Sequence, residues 1–249
     1  MAKKRTTAKP KGRETEADLK KKLALACHIL AMGGQGDDIW GHASVRRPGA
    51  DTFWMKPHRL GLEEVKPEDM LLIDLDGRVV RGKRPRHSEV FIHSEIYRAR
   101  RDVCAVVHTH AVPATVFASL GVPLRPITHE AAHFVPPDIP RFDETTDLII
   151  TPERGKAIAR TLGNHPVLFL VAHGIVTVGA AIEEAAVNAL VLNKASRDQL
   201  LVPGGAPRHW SSDEDALAKR ERIRNPVSTA DRWAYQLRKL AQWEKHPAH

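Results

Sequence analysis

Two pairs of short apolar runs, each folded about a turn, constrain this 249-residue chain more than any other feature. HASVRRPGADTFWMK (residues 42–56) places its runs on either side of PGAD, and MLLIDLDGRVV (70–80) does the same around DLDG. Connections this short join antiparallel neighbours, because a parallel return needs a crossover of about a dozen residues or more. Around these hairpins the period alternates. Residues 16–32 set Leu19, Leu23, Ala26, Cys27 and Leu30 at helical spacing until GGQG breaks it. Residues 87–100 return to that period with Val90, Phe91, Ser94 and Tyr97, CAVVHTH reads as the next strand, and AVPATVFASLG as a helix.

The second half repeats the logic. VPLRPITHEAAHFVPP reads as a strand followed by a loop, and ERGKAIARTLG as a short helix capped by Gly163. HPVLFLVAHGIVTVG reads as two strands bent at His173 and Gly174, and residues 182–201 as one long apolar helix. From Pro203 the chain is charged and carries Trp210, Trp233 and Trp243, which predicts irregular structure plus one amphipathic helix docked on the body or on a neighbouring subunit. Helices flanking a mostly antiparallel central sheet make a three-layer α/β/α domain over residues 16–202, between a disordered basic tail (1–15) and a C-terminal extension (203–249).

Composition narrows the function. With 42% hydrophobic residues the chain can bury a full core, and no apolar run approaches the roughly 20 residues that span a bilayer. The opening MAKKRTTAKPKGR lacks the apolar region of a secretion signal, so a cytoplasmic protein without a membrane partner is expected. Cys27 and Cys104 lie inside helical and strand patterns and read as two buried thiols. Of the net charge of +8, six charges come from Lys3, Lys4, Arg5, Lys9, Lys11 and Arg13, leaving only about +2 on the body. That is too little for a nucleic-acid footprint.

The chemistry concentrates in VVHTHAVPATVF. Side chains alternate along a strand, so His108 and His110 project from one face while Thr109 points the other way. His173 ends another apolar strand, VLFLVA, beside a glycine that permits close approach. Three neutral imidazoles that leave an open position are a common catalytic zinc set, although any single histidine of the fourteen also reads as a satisfied core group. Glu89 opens the helix leading into this strand, either as an acid or base facing the ion or, with Ser88, as a helix cap.

The order SEVFIHSEIYRARRDVCAVVHTH, a distant AHGIVTVG before a long helix, and the earlier GHASVR…DLDG resemble the class II aldolase and adducin family over roughly residues 18–202. The resemblance implies a three-layer α/β/α fold, usually a fourfold-symmetric tetramer, with a divalent ion held by three histidines at a subunit boundary. The ligands carry over to His108, His110 and His173, and the catalytic carboxylate to Glu89. One ion per subunit is implied, with zinc first and manganese, cobalt or iron also accepted by such a set.

Departures from the family pattern point to the substrate. Sugar-phosphate aldolases hold phosphate with segments resembling GN-S, TPSG and PSSE. Here they read GHAS (41–44), KPHR (56–59) and RHSE (86–89), with His42 for asparagine and Arg59 for glycine, which argues against a phosphosugar. Lys56, His58, Arg59, Arg86 and His87 instead form a cationic set suited to a small carboxylate. His42, Ser44 and Ser88 from the same segments, and His129 and His133 from the later loop, complete the expected substrate contacts. This pattern resembles the branch that decarboxylates hydroxylated aromatic dicarboxylates and carboxymuconic semialdehydes. The ion would draw off negative charge as carbon dioxide leaves, and Glu89 or His87 would deliver a proton to carbon. His93, four residues beyond Glu89, is a candidate to orient that carboxylate. Aldol cleavage of an acidic hydroxy-carbonyl substrate uses the same electron flow, and adducin-type members, which lack the metal set, use the fold as an interaction module.

Overall fold

A computed structural model describes residues 14–245. Residues 1–13 of the expected tail lie outside that range, and Thr15 is already the N-cap of the first helix, α1 (Glu16–Leu30), through a capping box with Asp18. The helix passes into a π turn at Ala31–Gln35, where Gly34 takes φ 73°, and the chain then enters the sheet.

Both hairpins form as their turns dictate. Strands β1 (His42–Val45) and β2 (Thr52–Met55) pair antiparallel, as do β3 (Leu71–Asp74) and β4 (Val79–Arg81). Helix α2 (Val90–Ala99) leads to β5 (Ala105–Thr109), and α3 (Val112–Ser119) follows it. Beyond α4 (His129–Ala132) come β6 (Arg141–Phe142), α5 (Pro152–Leu162), β7 (Val167–Leu170), β8 (Gly174–Gly179) and α6 (Ile182–Leu200). The eight strands lie in the order β4-β3-β2-β1-β5-β8-β7-β6, and every neighbouring pair is antiparallel except β6 with β7.

Alternation along the strands builds two cores. Ala105 and Val107 of β5 join the larger one beneath α1, α3 and α6, and Val106 turns to the other, beneath α2 and α5. This is a three-layer α/β/α domain. No helix among the described residues is long and apolar enough to cross a membrane. Cys27 and Cys104 are buried and unpaired with each other.

Two expectations fail. The stretch 122–127 forms no strand; its polar backbone is satisfied by side chains, with Asp138 accepting from Leu124 N and Gln199 from Arg125 N, and a single turn of helix, α4, follows. The C-terminal segment holds two helices, α7 (Asp213–Ile223) and α8 (Pro226–Trp243), where one was expected. Ser212 and Asn225 each cap one, and Pro226 at the first position of α8 forces the break between them. Trp233 packs on the larger core, while Trp210 stays exposed beside Arg125.

Candidate active site

His108 and His110 lie at the C-terminal end of β5, and the β7–β8 turn brings His173 to meet them. The two Nε2 atoms of His108 and His110 are 3.0 Å apart. Glu89, at the start of α2, approaches from the helical layer, with Oε2 3.8 Å from His108 Nε2 and Oε1 3.5 Å from His173 Nε2. One ligand atom from each of Glu89, His108, His110 and His173 lies within 4.8 Å of all the others.

The tautomers fit a cation. His108 Nδ1 sits 2.9 Å from the Ile175 carbonyl and His110 Nδ1 2.7 Å from Asp37 Oδ2, acceptors that place the proton on Nδ1 and leave each Nε2 with a bare lone pair. Two lone pairs face each other at 3.0 Å, and the Nε2 of His173 is buried without a hydrogen-bond partner. A divalent ion among them satisfies all three. Burial, then the neighbouring His110, pushes the His108 pKa down, which keeps the ring neutral as a ligand must be.

Gly174 makes the convergence possible. A Cβ there would stand 2.5 Å from the Thr109 carbonyl oxygen and 2.8 Å from His110 Cδ2, so no side chain fits between the two histidine-bearing turns. Thr109 points away, as alternation requires, and donates to Gln35 at 2.6 Å.

Glu89 holds the N-cap position of α2, but its side chain makes no capping bond. Its Oε1 instead accepts from Ile149 N at 2.8 Å, and its Oε2 faces His42 Nε2 at 3.9 Å. Burial alone would raise its pKa; the imidazoles of His173 and His42 outweigh burial and hold it below the usual carboxylate range. His93 does not touch Glu89. It bonds to His42 at 2.7 Å and to Ser44 at 2.6 Å.

The cationic set divides. His87 packs on His42, with ring centroids 4.5 Å apart, and its Nε2 lies 3.1 Å from the Pro57 carbonyl. Burial, with Lys56 and His58 adding to it, lowers the His87 pKa to about 2, which favours the neutral ring. Lys56 is fully buried behind His87, its Nζ donating to the Ile39 and Pro57 carbonyls. His58 is half-buried between His87 and Trp40. Arg86 donates to the His87 carbonyl at 2.8 Å, Ser88 is exposed, and Arg59 is exposed with φ 68°.

His129 and His133 are not drawn into this cluster. His129 is exposed on α4, and the buried His133 faces Arg224, Arg232, Arg220 and Asn188 on the helical layer; burial, then Arg224, lowers its pKa to about 3. Sequence reasoning missed Asp37, Tyr97 and the Ile149 amide, each of which supports a site residue. Asp37 and Ile149 are separated from their partners by 73 and 60 residues, with no local pattern linking them.

Comparison with known proteins agrees with this fold. Residues 21–200 match the family described as the class II aldolase and adducin N-terminal domain. The chain is 34% identical to decarboxylase NovR of Streptomyces niveus, over 84% of this chain and 78% of that one. It is 36% identical to a 4-hydroxy-3-prenylphenylpyruvate oxygenase/4-hydroxy-3-prenylbenzoate synthase of Streptomyces roseochromogenus (78% and 72% covered). It is 28% identical to a 3,4-dihydroxyphthalate decarboxylase of Arthrobacter keyseri (92% and 97%). Among solved structures it superposes on an L-fuculose 1-phosphate aldolase from Glaciozyma antarctica with a TM-score of 0.83 at 26% identity, covering 95% of both chains. The chain belongs to the class II aldolase and adducin family, with decarboxylases among its relatives.

Proposed function

We propose that this chain is a divalent-metal-dependent carbon–carbon lyase that removes carbon dioxide from a hydroxylated aromatic or ring-cleavage carboxylic acid. The observation that carries the reading is the meeting of three Nε2 atoms, one of them buried without a partner, beside a buried carboxylate. His108, His110 and His173 would hold the ion, zinc first, with manganese, cobalt or iron as alternatives. Bound there, it supplies a Lewis acid that withdraws negative charge from a substrate oxygen.

The protein's own groups do the rest. Glu89 starts ionised, so its first role is to accept a proton, from a substrate hydroxyl, and its second is to return that proton to the carbon that carbon dioxide leaves. The electron pair of the broken carbon–carbon bond passes into the conjugated system toward the substrate oxygen and returns to that carbon to take the proton. His87, neutral and bonded to the Pro57 carbonyl, shapes the pocket and does not supply the proton. Arg59 and Arg86 are the exposed and half-buried cations left to meet a carboxylate at the mouth.

Aldol cleavage is the second reading, favoured by the fold shared with the fuculose-phosphate aldolase. Retention of the histidines and Glu89 speaks against a purely structural module. The proposal includes a homotetramer in the cytoplasm, with no nucleic-acid or membrane partner; Val112, Val116 and Leu120, exposed along α3 directly after His110, support a subunit contact beside the site. Sedimentation tests the assembly. Zinc-loaded protein offered hydroxyphthalates and carboxymuconic semialdehydes is expected to release carbon dioxide without consuming oxygen. Aldehyde release from hydroxyacids or sugar phosphates alone, or oxygen uptake matched to turnover, would overturn the decarboxylase reading.

A further inference from the structure

Glu89, His93 and Tyr97 recur at every fourth position and so stack down the inner face of α2, about 6 Å of helix apart. His42 and Ser44 share one face of β1, roughly 6.7 Å apart along the strand. The two spacings nearly match, and the side chains interleave. His42 Nδ1 lies 2.7 Å from His93 Nε2, His93 Nδ1 lies 2.6 Å from Ser44 Oγ, and Ser44 Oγ lies 2.7 Å from the Tyr97 hydroxyl. None of these four residues is more than 1% exposed. Burial closes this row of hydrogen bonds off from bulk solvent.

A neutral imidazole has one donor and one acceptor, so a single choice of direction propagates through both rings. If Ser44 donates to His93 Nδ1, then His93 Nε2 donates to His42 Nδ1, and His42 carries its proton on Nε2. The reverse direction leaves a lone pair on His42 Nε2. Each end of the chain selects the first arrangement. At the inner end, the other acceptor near the Tyr97 hydroxyl is the Cys104 carbonyl, at 3.5 Å, which already accepts Arg46 N at 2.8 Å; the Tyr97 proton goes to Ser44. Burial raises the Tyr97 pKa above the ordinary phenol value, so this hydroxyl remains a donor. At the outer end, His42 Nε2 is buried without a hydrogen-bond partner and faces Glu89 Oε2 at 3.9 Å, where a lone pair would oppose the carboxylate and an N–H does not.

We propose that Tyr97, Ser44 and His93 hold His42 as a neutral Nε2–H donor, and that this N–H grips an anionic substrate oxygen between Glu89 and the three-histidine cluster. The identity of that oxygen, a carboxylate or the oxyanion that develops beside it, rests on the lyase reading; the direction of the chain does not. His42 is then a substrate-binding group, and His93, Ser44 and Tyr97 are positioning residues that act through it. The same geometry separates His42 from the metal set: as a fourth ligand it would need the reverse direction.

The test is long-range proton–nitrogen NMR on the full-length, zinc-loaded protein labelled with 15N-histidine, with His42 assigned from its absence in His42→Gln. Should that variant fail to fold, neutron diffraction from the unaltered protein reads the same protons. The expected result is a proton on His42 Nε2 and a bare Nδ1, with the Nε2 proton moving downfield on addition of 3,4-dihydroxybenzoate. Ser44→Ala is expected to give both His42 tautomers and to weaken dihydroxybenzoate binding while zinc content stays whole, a split that a merely structural role would not produce. A proton on Nδ1, zinc coordination by His42, or an Nε2 proton indifferent to saturating dihydroxybenzoate overturns the proposal. Failure of every carbon dioxide assay with an Nε2–H that still responds to the carboxylate would sink the lyase reading and leave this one standing.

Discussion

Lys56 gives the sharpest stability prediction. Its side chain is fully buried, its Nζ donates to the Ile39 carbonyl at 3.1 Å and the Pro57 carbonyl at 3.3 Å, and no carboxylate pairs with it among the described residues. Burial pushes its pKa from 10.5 down to about 8, against weak opposition from Cys27, Glu63 and Glu64. At about 1.4 kcal/mol per pH unit, that lowering corresponds to roughly 3 kcal/mol of folding free energy. The sign follows from proton counts. Between pH 8 and 10.5 the unfolded chain holds the Lys56 proton and the folded chain does not, so wild-type stability rises with pH across that window. Below pH 8 the full penalty applies. Lys56→Met removes the penalty, while stranding the Ile39 carbonyl costs about 1–3 kcal/mol at every pH. The assay is urea unfolding of both proteins from pH 7 to 10.5. The expected result is a stability difference that moves in favour of wild type by about 3 kcal/mol across the series. Parallel curves would show that Lys56 is not a desolvated cation and would refute the reasoning.

Gly174→Ala drives a Cβ against the Thr109 carbonyl and the His110 ring, so isothermal titration should show zinc affinity falling by roughly 10–100-fold, comparable to losing a group that orients a ligand. Glu89→Gln leaves the three imidazoles in place and is expected to keep zinc, by elemental analysis, while kcat for carbon dioxide release falls by about 10²–10⁴. Arg59→Gly relieves a left-handed backbone (φ 68°) and should raise stability by roughly 1 kcal/mol in urea unfolding, with a higher KM for a carboxylate substrate if the guanidinium meets it.

Much of this was legible in the sequence, and for identifiable reasons. Period and turn chemistry located β1 to β4, α2, β5, α5 and the β7–β8 pair, because each is fixed by neighbours within a few residues. The pairing of His108 with His110 followed from strand alternation alone. The 122–127 stretch misled because its apolar residues alternate like a strand while Asp138 and Gln199, distant in sequence, take its amides. The C-terminal split turns on Asn225 and Pro226, a cap and a first-turn proline inside a charged segment. His133 illustrates the limit at the site: histidine in a loop after the sheet gives no sign of the layer it enters, and here three arginines and Asn188 surround it. Arg59 is the opposite case. The residue departs from glycine, yet the backbone keeps the conformation that glycine favours, so the loop shape persists beneath a changed side chain.

The most direct measurement is metal content paired with thermal unfolding. Protein stripped with a chelator and reloaded with zinc is expected to bind one ion per chain and to gain about 2.7 kcal/mol when free zinc is a hundred times its Kd. His173→Ala should abolish both effects. Stoichiometric zinc and an undiminished gain in that variant would mean that His108, His110 and His173 do not share an ion, and the account of the site would fall with them.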